Sequence, residues 1–314
     1  MKVRSLFILG LLGLAACSSV DPISGLPELR QALSANPVNL VDVPFFPQED
    51  YQCGPAALAT VLANSGVEVT DQELVDHVYI PARRGSLQLE MLAATRRFQR
   101  IPYEIEPTLG GLLKEVAAGR PVVVFQNLGL SWLPQWHYAV AVGFDVDSGD
   151  ILLRSGTIRD YRIPLRVFER TWRRTGYWGF VALVPGELPV DPDPSRYLAS
   201  VVAFENTGDS DAIVKAYTAA TAAWADQPVF PAALGNYYYS QGDLSMARDT
   251  FSRLVEKFPD FADGHNTLAH VAWLQGDVQT ARTHAMRAIE LGGPRLATYR
   301  STLESIETPP DQVE

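Results

Sequence analysis

The spacing of apolar and polar positions changes character along the chain. Between residues 54 and 98 apolar residues recur at helical intervals. GPAALATVLANSG (54–66) is built from strong helix formers and ends at Gly66, a residue suited to a helix C-cap. Thr70 and Glu73 have the spacing of a capping box, which opens a helix over TDQELVDHVY. SLQLEMLAATRRF (86–98) puts Leu87, Met91 and Leu92 on one helical face. From residue 121 the pattern becomes β-like, in PVVVFQ (121–126), HYAVAVGF (137–144), DILLRS (150–155) and YWGFVALV (177–184). VDSGD (146–150) reads as the hairpin turn between two of these runs. Helices first and an antiparallel-leaning sheet second predict an α+β domain rather than an alternating doubly wound one. PGELPVDPDPS (185–195) then carries four prolines, and proline neither continues a helix nor serves a central strand, so this stretch marks a domain boundary.

Beyond that boundary the pattern is helical again, and it repeats. Gly208-Asp209, Gly242-Asp243 and Gly276-Asp277 are spaced 34 residues apart. That period is similar to the tetratricopeptide repeat, a helix–turn–helix unit that stacks because one copy cannot bury its apolar face alone. Leu234, Gly235, Tyr238, Ala247, Phe251 and Pro259 of the middle unit fall at that repeat's packing positions. The third unit keeps Leu268, Ala269, Ala272, Ala281 and Ala288; the first keeps Phe204, Tyr217 and Ala220, as expected of a degenerate terminal unit.

The chain has 314 residues, which at about 150 per domain fits about two domains. Hydrophobic residues make up 47% and charged residues 20%, the balance of a globular protein, and the net charge of −10 gives no overall electrostatic footprint for nucleic acid or anionic lipid. Two cysteines, Cys17 and Cys53, are too few for a disulfide framework or a four-ligand zinc site, and no cofactor is expected. Lys2 and Arg4 precede a short apolar run from Leu6 to Ala16, the layout of a secretory signal. Leu14-Ala15-Ala16-Cys17-Ser18 resembles the lipobox of bacterial lipoproteins, whose cysteine is acylated after the signal is cut; the alternative is an ordinary signal with a cysteine near its cut. Several acyl chains on Cys17 would give stable membrane attachment. Ser rather than Asp at position 18 implies, by that resemblance, the outer membrane of a bacterial cell envelope, facing the periplasm. Cutting after residue 16 removes two basic residues and no acid, taking the charge from −10 to −12.

Cys53 is then the one free thiol of an exported chain, either buried and inert or kept for its reactivity. In VPFFPQEDYQCGPAALATVL it opens a helix, where unpaired N–H groups and the helix dipole favour thiolate. Gly54 permits close backbone approach and Pro55 suits a first helical turn. A nucleophile needs a base. His265, His270 and His284 lie in the repeats and His77 reads as a solvated helix position, whereas His137 opens the strand HYAVAVGF. A cysteine on the first helix and a histidine at a later strand edge is the papain-type arrangement.

Gln48 to Leu62, Gly85-Ser86 before a helix, and HYAVAVGFD together resemble the peptidases that process double-glycine leaders of bacteriocins, over roughly residues 40–185. The similarity is closest to a stand-alone, lipoprotein, repeat-bearing branch. It implies a papain-like fold in which Cys53 attacks a peptide carbonyl, His137 carries the proton, and Gln48 with the Cys53 N–H binds the oxyanion; Gln52 is the weaker donor candidate. The family usually orients its histidine with an Asp in an Asp-Pro pair, and the corresponding stretch here is ILLRSGT, with Ser155-Gly156 in its place. Ser155 is either the orienter, able to accept the imidazole N–H but not to stabilise imidazolium as a carboxylate does, or a hairpin-end serine bonded to local backbone. Asp145 lies about 26 Å along the strand from His137, out of reach, leaving Asp160 and Asn127 as other orienters. Trp132, Trp136, Trp172 and Trp178 read as cleft or core residues.

The expected organisation is a signal peptide (1–16), a lipidated tether (17–37), a papain-like peptidase domain (38–186), a Pro-rich linker (187–195), tetratricopeptide repeats (196–300) and a tail (301–314). The leading functional expectation is a membrane-anchored cysteine peptidase acting on a peptide or protein, with the repeats recruiting substrate or a protein partner. The alternatives are a weak or inert peptidase-like domain in a scaffold or assembly lipoprotein, and an acyl or amide transferase on the same fold.

Overall fold

The computed structural model describes residue 33, residues 37–48 and residues 51–308. The signal segment, Cys17 and most of the expected tether lie outside the described residues. Leu33, placed by sequence in the tether, is helical and buried in the main core, so apolar docking holds at least this position to the fold.

The first domain is built on one antiparallel sheet. Its strands are β1 (Val38–Asn39), β2 (Ile101–Glu104), β3 (Val122–Asn127), β4 (Trp136–Asp145), β5 (Asp150–Ser155), β6 (Ile158–Pro164) and β7 (Gly179–Leu183). They are ordered β2-β7-β3-β4-β5-β6, with β1 paired to β4. Both faces of the central strands are covered, which is why PVVVFQ and HYAVAVGF are nearly continuous in apolar residues. Val123, Val140, Val142 and Phe180 pack under helices α1 (Cys53–Asn64), α2 (Asp71–Val78) and α3 (Gln88–Arg97). Val122, Val124, Ala139, Ala141 and Leu153 pack under α4 (Leu109–Ala117) and α5 (Leu165–Arg173). The capping box of α2 forms: Thr70 Oγ1 accepts from the Glu73 N–H, and Glu73 accepts from the Thr70 N–H. Gly143 is required where β1 crosses β4, because a Cβ there would lie 2.5 Å from the Val38 carbonyl oxygen.

The Pro-rich stretch is not a free linker. Its Val190 N–H donates to Glu115 Oε1 at 2.8 Å and its Asp193 N–H to the Tyr103 hydroxyl at 3.1 Å. Asp193 then caps helix α6 (Pro194–Phe204), with Pro194 in the first turn where its missing N–H is harmless. Tyr197, Val201 and Phe204 of α6 enter the same core as Tyr103, Leu109 and Val181 of the sheet domain. The proline signal reports local chain stiffness and says nothing of what the stiff segment packs against.

Six helices follow α6: α7 (Ser210–Ala223), α8 (Val229–Ser240), α9 (Leu244–Lys257), α10 (Ala262–Leu274), α11 (Val278–Leu291) and α12 (Leu296–Glu307). Together with α6 they form, among the described residues, three helix pairs (α6–α7, α8–α9, α10–α11) and a closing helix, α12. In the second and third pairs the Gly-Asp motif is the turn itself: Gly242 and Gly276 adopt φ of +76° and +79°, and Asp243 and Asp277 cap the next helix. The expected tail is helical as far as Glu307. Ile306 of α12 packs on Ala269, Ala272, Ala281 and Ala285, a small-residue surface the last pair would otherwise expose. Among the described residues no helix is long and apolar enough to cross a membrane.

Candidate active site

Cys53 is the first residue of α1, and the helix is fixed by Ala57, Leu58, Val61 and Leu62 in the core below it. Gly54 lies so close to Ser86 that a Cβ would meet Ser86 Oγ at 2.2 Å. The close approach expected of Gly54 is therefore to the Gly85-Ser86 segment at the start of α3. His137 sits at the cleft end of β4, one strand from Ser155 at the end of β5, and His137 Nε2 and Ser155 Oγ are 2.8 Å apart. Nδ1 is left as the imidazole nitrogen open to a thiol. Gln48 is held by its backbone, its N–H donating to the Gly156 carbonyl at 3.2 Å.

A cleft of about 750 Å³ has Gln48, Cys53 and His137 in its wall, together with Ser86, Trp136 and Tyr138. A narrower recess behind it is lined by Gln48, Cys53, Ser155 and Arg154. The four residues singled out by sequence thus converge, though no hydrogen bond joins the Cys53 thiol to His137. The other candidates are elsewhere. Asp160 pairs with Arg154 at 2.6 Å, and Asn127 Oδ1 accepts the Gly129 and Gln135 N–H groups at 3.0 Å, so neither reaches His137. Asp145 accepts the Asp147 and Ser148 N–H groups in the β4–β5 turn. Gln52 precedes α1 without a side-chain cap bond. Of the tryptophans, Trp172 is fully buried, while Trp132 and Trp136 are exposed.

The electrostatics differ from those expected of a helix-terminal thiol. Burial pushes the Cys53 thiol up, and hydrogen bonds from the Tyr138 and Gly54 backbone only partly offset it. Burial also pushes the His137 imidazole down to about 4, with no carboxylate beside it to resist. Both shifts disfavour the charged form, so near neutrality the resting pair is thiol and neutral imidazole. Desolvation outweighs the backbone hydrogen bonds at the helix start, a contest no spacing rule can judge. The sequence reading also missed Tyr138, whose hydroxyl donates to the Ser86 carbonyl at 3.3 Å and whose own pKa is raised by burial and by the nearby Cys53. Phe125, Trp136 and Tyr138 form an aromatic wall, Phe125 stacking on Trp136 at 5.4 Å and lying tilted against Tyr138 at 4.5 Å. Alternation along β4, with Trp136 and Tyr138 two apart, was the signal available for that wall. Among the described residues no cluster of His, Cys, Asp or Glu could hold a metal ion.

Residues 40–180 match the model of the Peptidase_C39 like family. No curated protein sequence matches the chain. Among solved structures, a Bacillus anthracis protein assigned as a C39-like peptidase is 19% identical, covering 46% of this chain and 98% of its own, with a TM-score of 0.39. A double glycine motif protease from an AMS/PCAT transporter, in complex with the leader peptide, is 25% identical over 46% of this chain and 95% of its own, with a TM-score of 0.34. The first TPR of Spaghetti, bound to an HSP90 peptide, is 17% identical over 36% of this chain and 92% of its own, with a TM-score of 0.32.

Proposed function

With an α+β domain of the C39-like, papain-like peptidase type leading into an all-α tetratricopeptide array, we propose that the protein is a cysteine peptidase in which Cys53 is the nucleophile and His137 the base. The observation that carries this reading is the convergence of Cys53, His137 and Gln48 on one cleft, with Ser155 on the far nitrogen of the imidazole. His137 Nδ1 takes the thiol proton as sulfur attacks the peptide carbonyl, so attack and proton transfer run together from a neutral pair. Nε2 keeps its own proton and donates it in a hydrogen bond to Ser155 Oγ. The carbonyl π electrons move to oxygen, and the oxyanion is met by the Gln48 side-chain amide and the Cys53 N–H. Collapse expels the amine, which takes its proton from His137, and leaves a thioester on Cys53. Water, deprotonated by His137, attacks the thioester, and the sulfur leaves with that proton.

In the same proposal, residues 1–16 export the chain, acylation of Cys17 anchors it in the bacterial envelope, and the repeats recruit a protein or peptide. The test is acyl-enzyme formation with activated esters and peptide libraries. Cys53→Ala should abolish it, and His137→Ala should slow it by about 10²–10⁴-fold, the usual contribution of a positioned base. Unchanged turnover in Cys53→Ala would sink the reading. A second reading, a peptidase-like domain with little activity in a scaffold lipoprotein, is favoured by the half-buried, desolvated thiol and the absence of a carboxylate on His137. It predicts that Cys53 reacts with iodoacetamide no faster than a free cysteine. Transfer to an added amine outrunning hydrolysis would instead identify an acyl or amide transferase.

A further inference from the structure

The loop between β3 and β4, residues 128–135, carries a cluster of exposed apolar side chains next to the candidate site. Leu128, Leu130, Trp132 and Leu133 are 46%, 53%, 77% and 63% exposed. Disorder does not account for this exposure, because the loop is a hydrogen-bonded hairpin extension. Leu130 and Leu133 exchange both backbone hydrogen bonds, at 3.0 and 3.1 Å, and the Leu128 N–H donates to the Gln135 carbonyl at 2.8 Å. Asn127 and the Arg174 guanidinium tie down its root, Arg174 Nη1 donating to the Asn127 and Gly129 carbonyls at 3.0 and 2.6 Å. The base of the spike has most of its backbone polar groups paired, and its apex at Ser131 and Trp132 is without backbone partners among the described residues, so its backbone is suited to the headgroup depth of a bilayer rather than the hydrocarbon.

Charge separates the possible partners. The spike holds no acidic or basic side chain, and at its root α5 ends, burying Phe168 and Trp172 and exposing Arg170 and Arg173, while Arg166 lies at the far end of the helix beside Gly149. In a chain of net charge −10 this is a local basic face against an apolar tip carrying Trp and Leu. Trp at the interface with Arg near the headgroups is the chemistry of attachment to an anionic bilayer. We infer that the β3–β4 loop inserts into an anionic lipid surface, with Arg170 and Arg173 of α5 on the headgroups. Gln135 and Trp136, at the base of the same loop, line the cleft, so insertion turns the cleft mouth toward the membrane surface.

The experiment uses the full chain in vesicles of phosphatidylcholine with about one-third phosphatidylglycerol, carrying bromine on the acyl chains. Quenching at the loop reports insertion there, whatever the N-terminus does. Strong quenching is expected, reduced at least twofold by Trp132→Phe and to background by the pair Leu130→Asp and Leu133→Asp, both at exposed positions. Arg170→Glu with Arg173→Glu should reduce it in the anionic vesicles, and 0.5 M salt should do the same. Cys53→Ala should leave it unchanged, so insertion and the peptidase reading fail separately. Bromine-insensitive tryptophan in vesicle-bound protein overturns the inference, as does quenching unaffected by the aspartate pair. A loop that cross-links to a protein partner without bromolipid quenching overturns it as well.

Discussion

Ser155 meets His137 with a hydroxyl where relatives of the resembled family usually bring a carboxylate, and the chemistry of the site turns on that difference. A serine can hold the ring in place, yet its hydroxyl both donates and accepts and adds no negative charge, so burial sets the imidazole at about 4. If catalysis needs only neutral His137, the acid limb of kcat/KM should lie near pH 4 rather than near 6.5. Ser155→Asp should move that limb upward and quicken alkylation of Cys53 at pH 7, since a carboxylate favours imidazolium and hence thiolate; a limb that stays put would remove Ser155 from the orienting role. The same depression has a stability consequence. Between about pH 6.5 and 4 the unfolded chain binds a proton at His137 that the folded chain does not, so stability falls as pH drops through this window. His137→Gln should flatten that part of a denaturation-versus-pH curve. Gly54 is constrained sterically. Gly54→Ala pushes a methyl onto Ser86 and should cost about 1–3 kcal/mol by overpacking, read in urea unfolding, with thiol reactivity altered too.

At the scale of elements, legibility followed the strength of local periodicity. The helix after Cys53, the capping box at Thr70 and the strand opening at His137 lie where their patterns predict. The helix over Leu109–Ala117 has a weak local signal because Gly110 and Gly111 lower its propensity; packing on the sheet overrides that. Strand β6 was invisible for another reason. It is an edge strand whose residues are mostly exposed, with Arg159, Asp160 and Arg162 among them, so it carries no apolar run, and only its pairing with β5 defines it. The site followed the same rule. Residue types and spacing pointed to Cys53, His137, Gln48 and Ser155, whereas Tyr138 against Cys53 and the desolvation of both reactive groups depend on packing between distant segments. In the repeats the small residues have a direct steric account. A Cβ on Gly235 would meet the Phe251 ring at 2.7 Å, so Gly235→Ala should destabilise the α8–α9 pair by about 1–3 kcal/mol. Phe251→Leu in the same chain should recover part of that loss, and chemical denaturation of the single and double variants checks both.

For the molecule as a whole, the junction between the sheet domain and the repeats decides how force and binding pass between them. A proline-rich tether would let the two halves melt independently, but α6 shares its core with β2 and α4. The junction is also bonded across: the Gln99 side chain donates to the Thr207 carbonyl and accepts from the Asp209 N–H, both at 2.8 Å. Phe204 and Tyr197 are fully buried there. Phe204→Ala should therefore cost about 3–5 kcal/mol, and the loss should be felt on both sides of the junction. Hydrogen exchange provides the test. Amides of Ile101–Glu104, paired to β7 in the sheet domain, should lose protection together with those of Ser210–Ala223 in the first repeat pair. Loss confined to the repeats would mean that the boundary is an energetic one after all. If the coupling holds, a ligand that orders the first repeat pair also stabilises β2, which reaches β3 and β4 through β7 in the same sheet. Partner binding at the repeats would then reach the strand that carries His137 through packed structure, with no hinge between them.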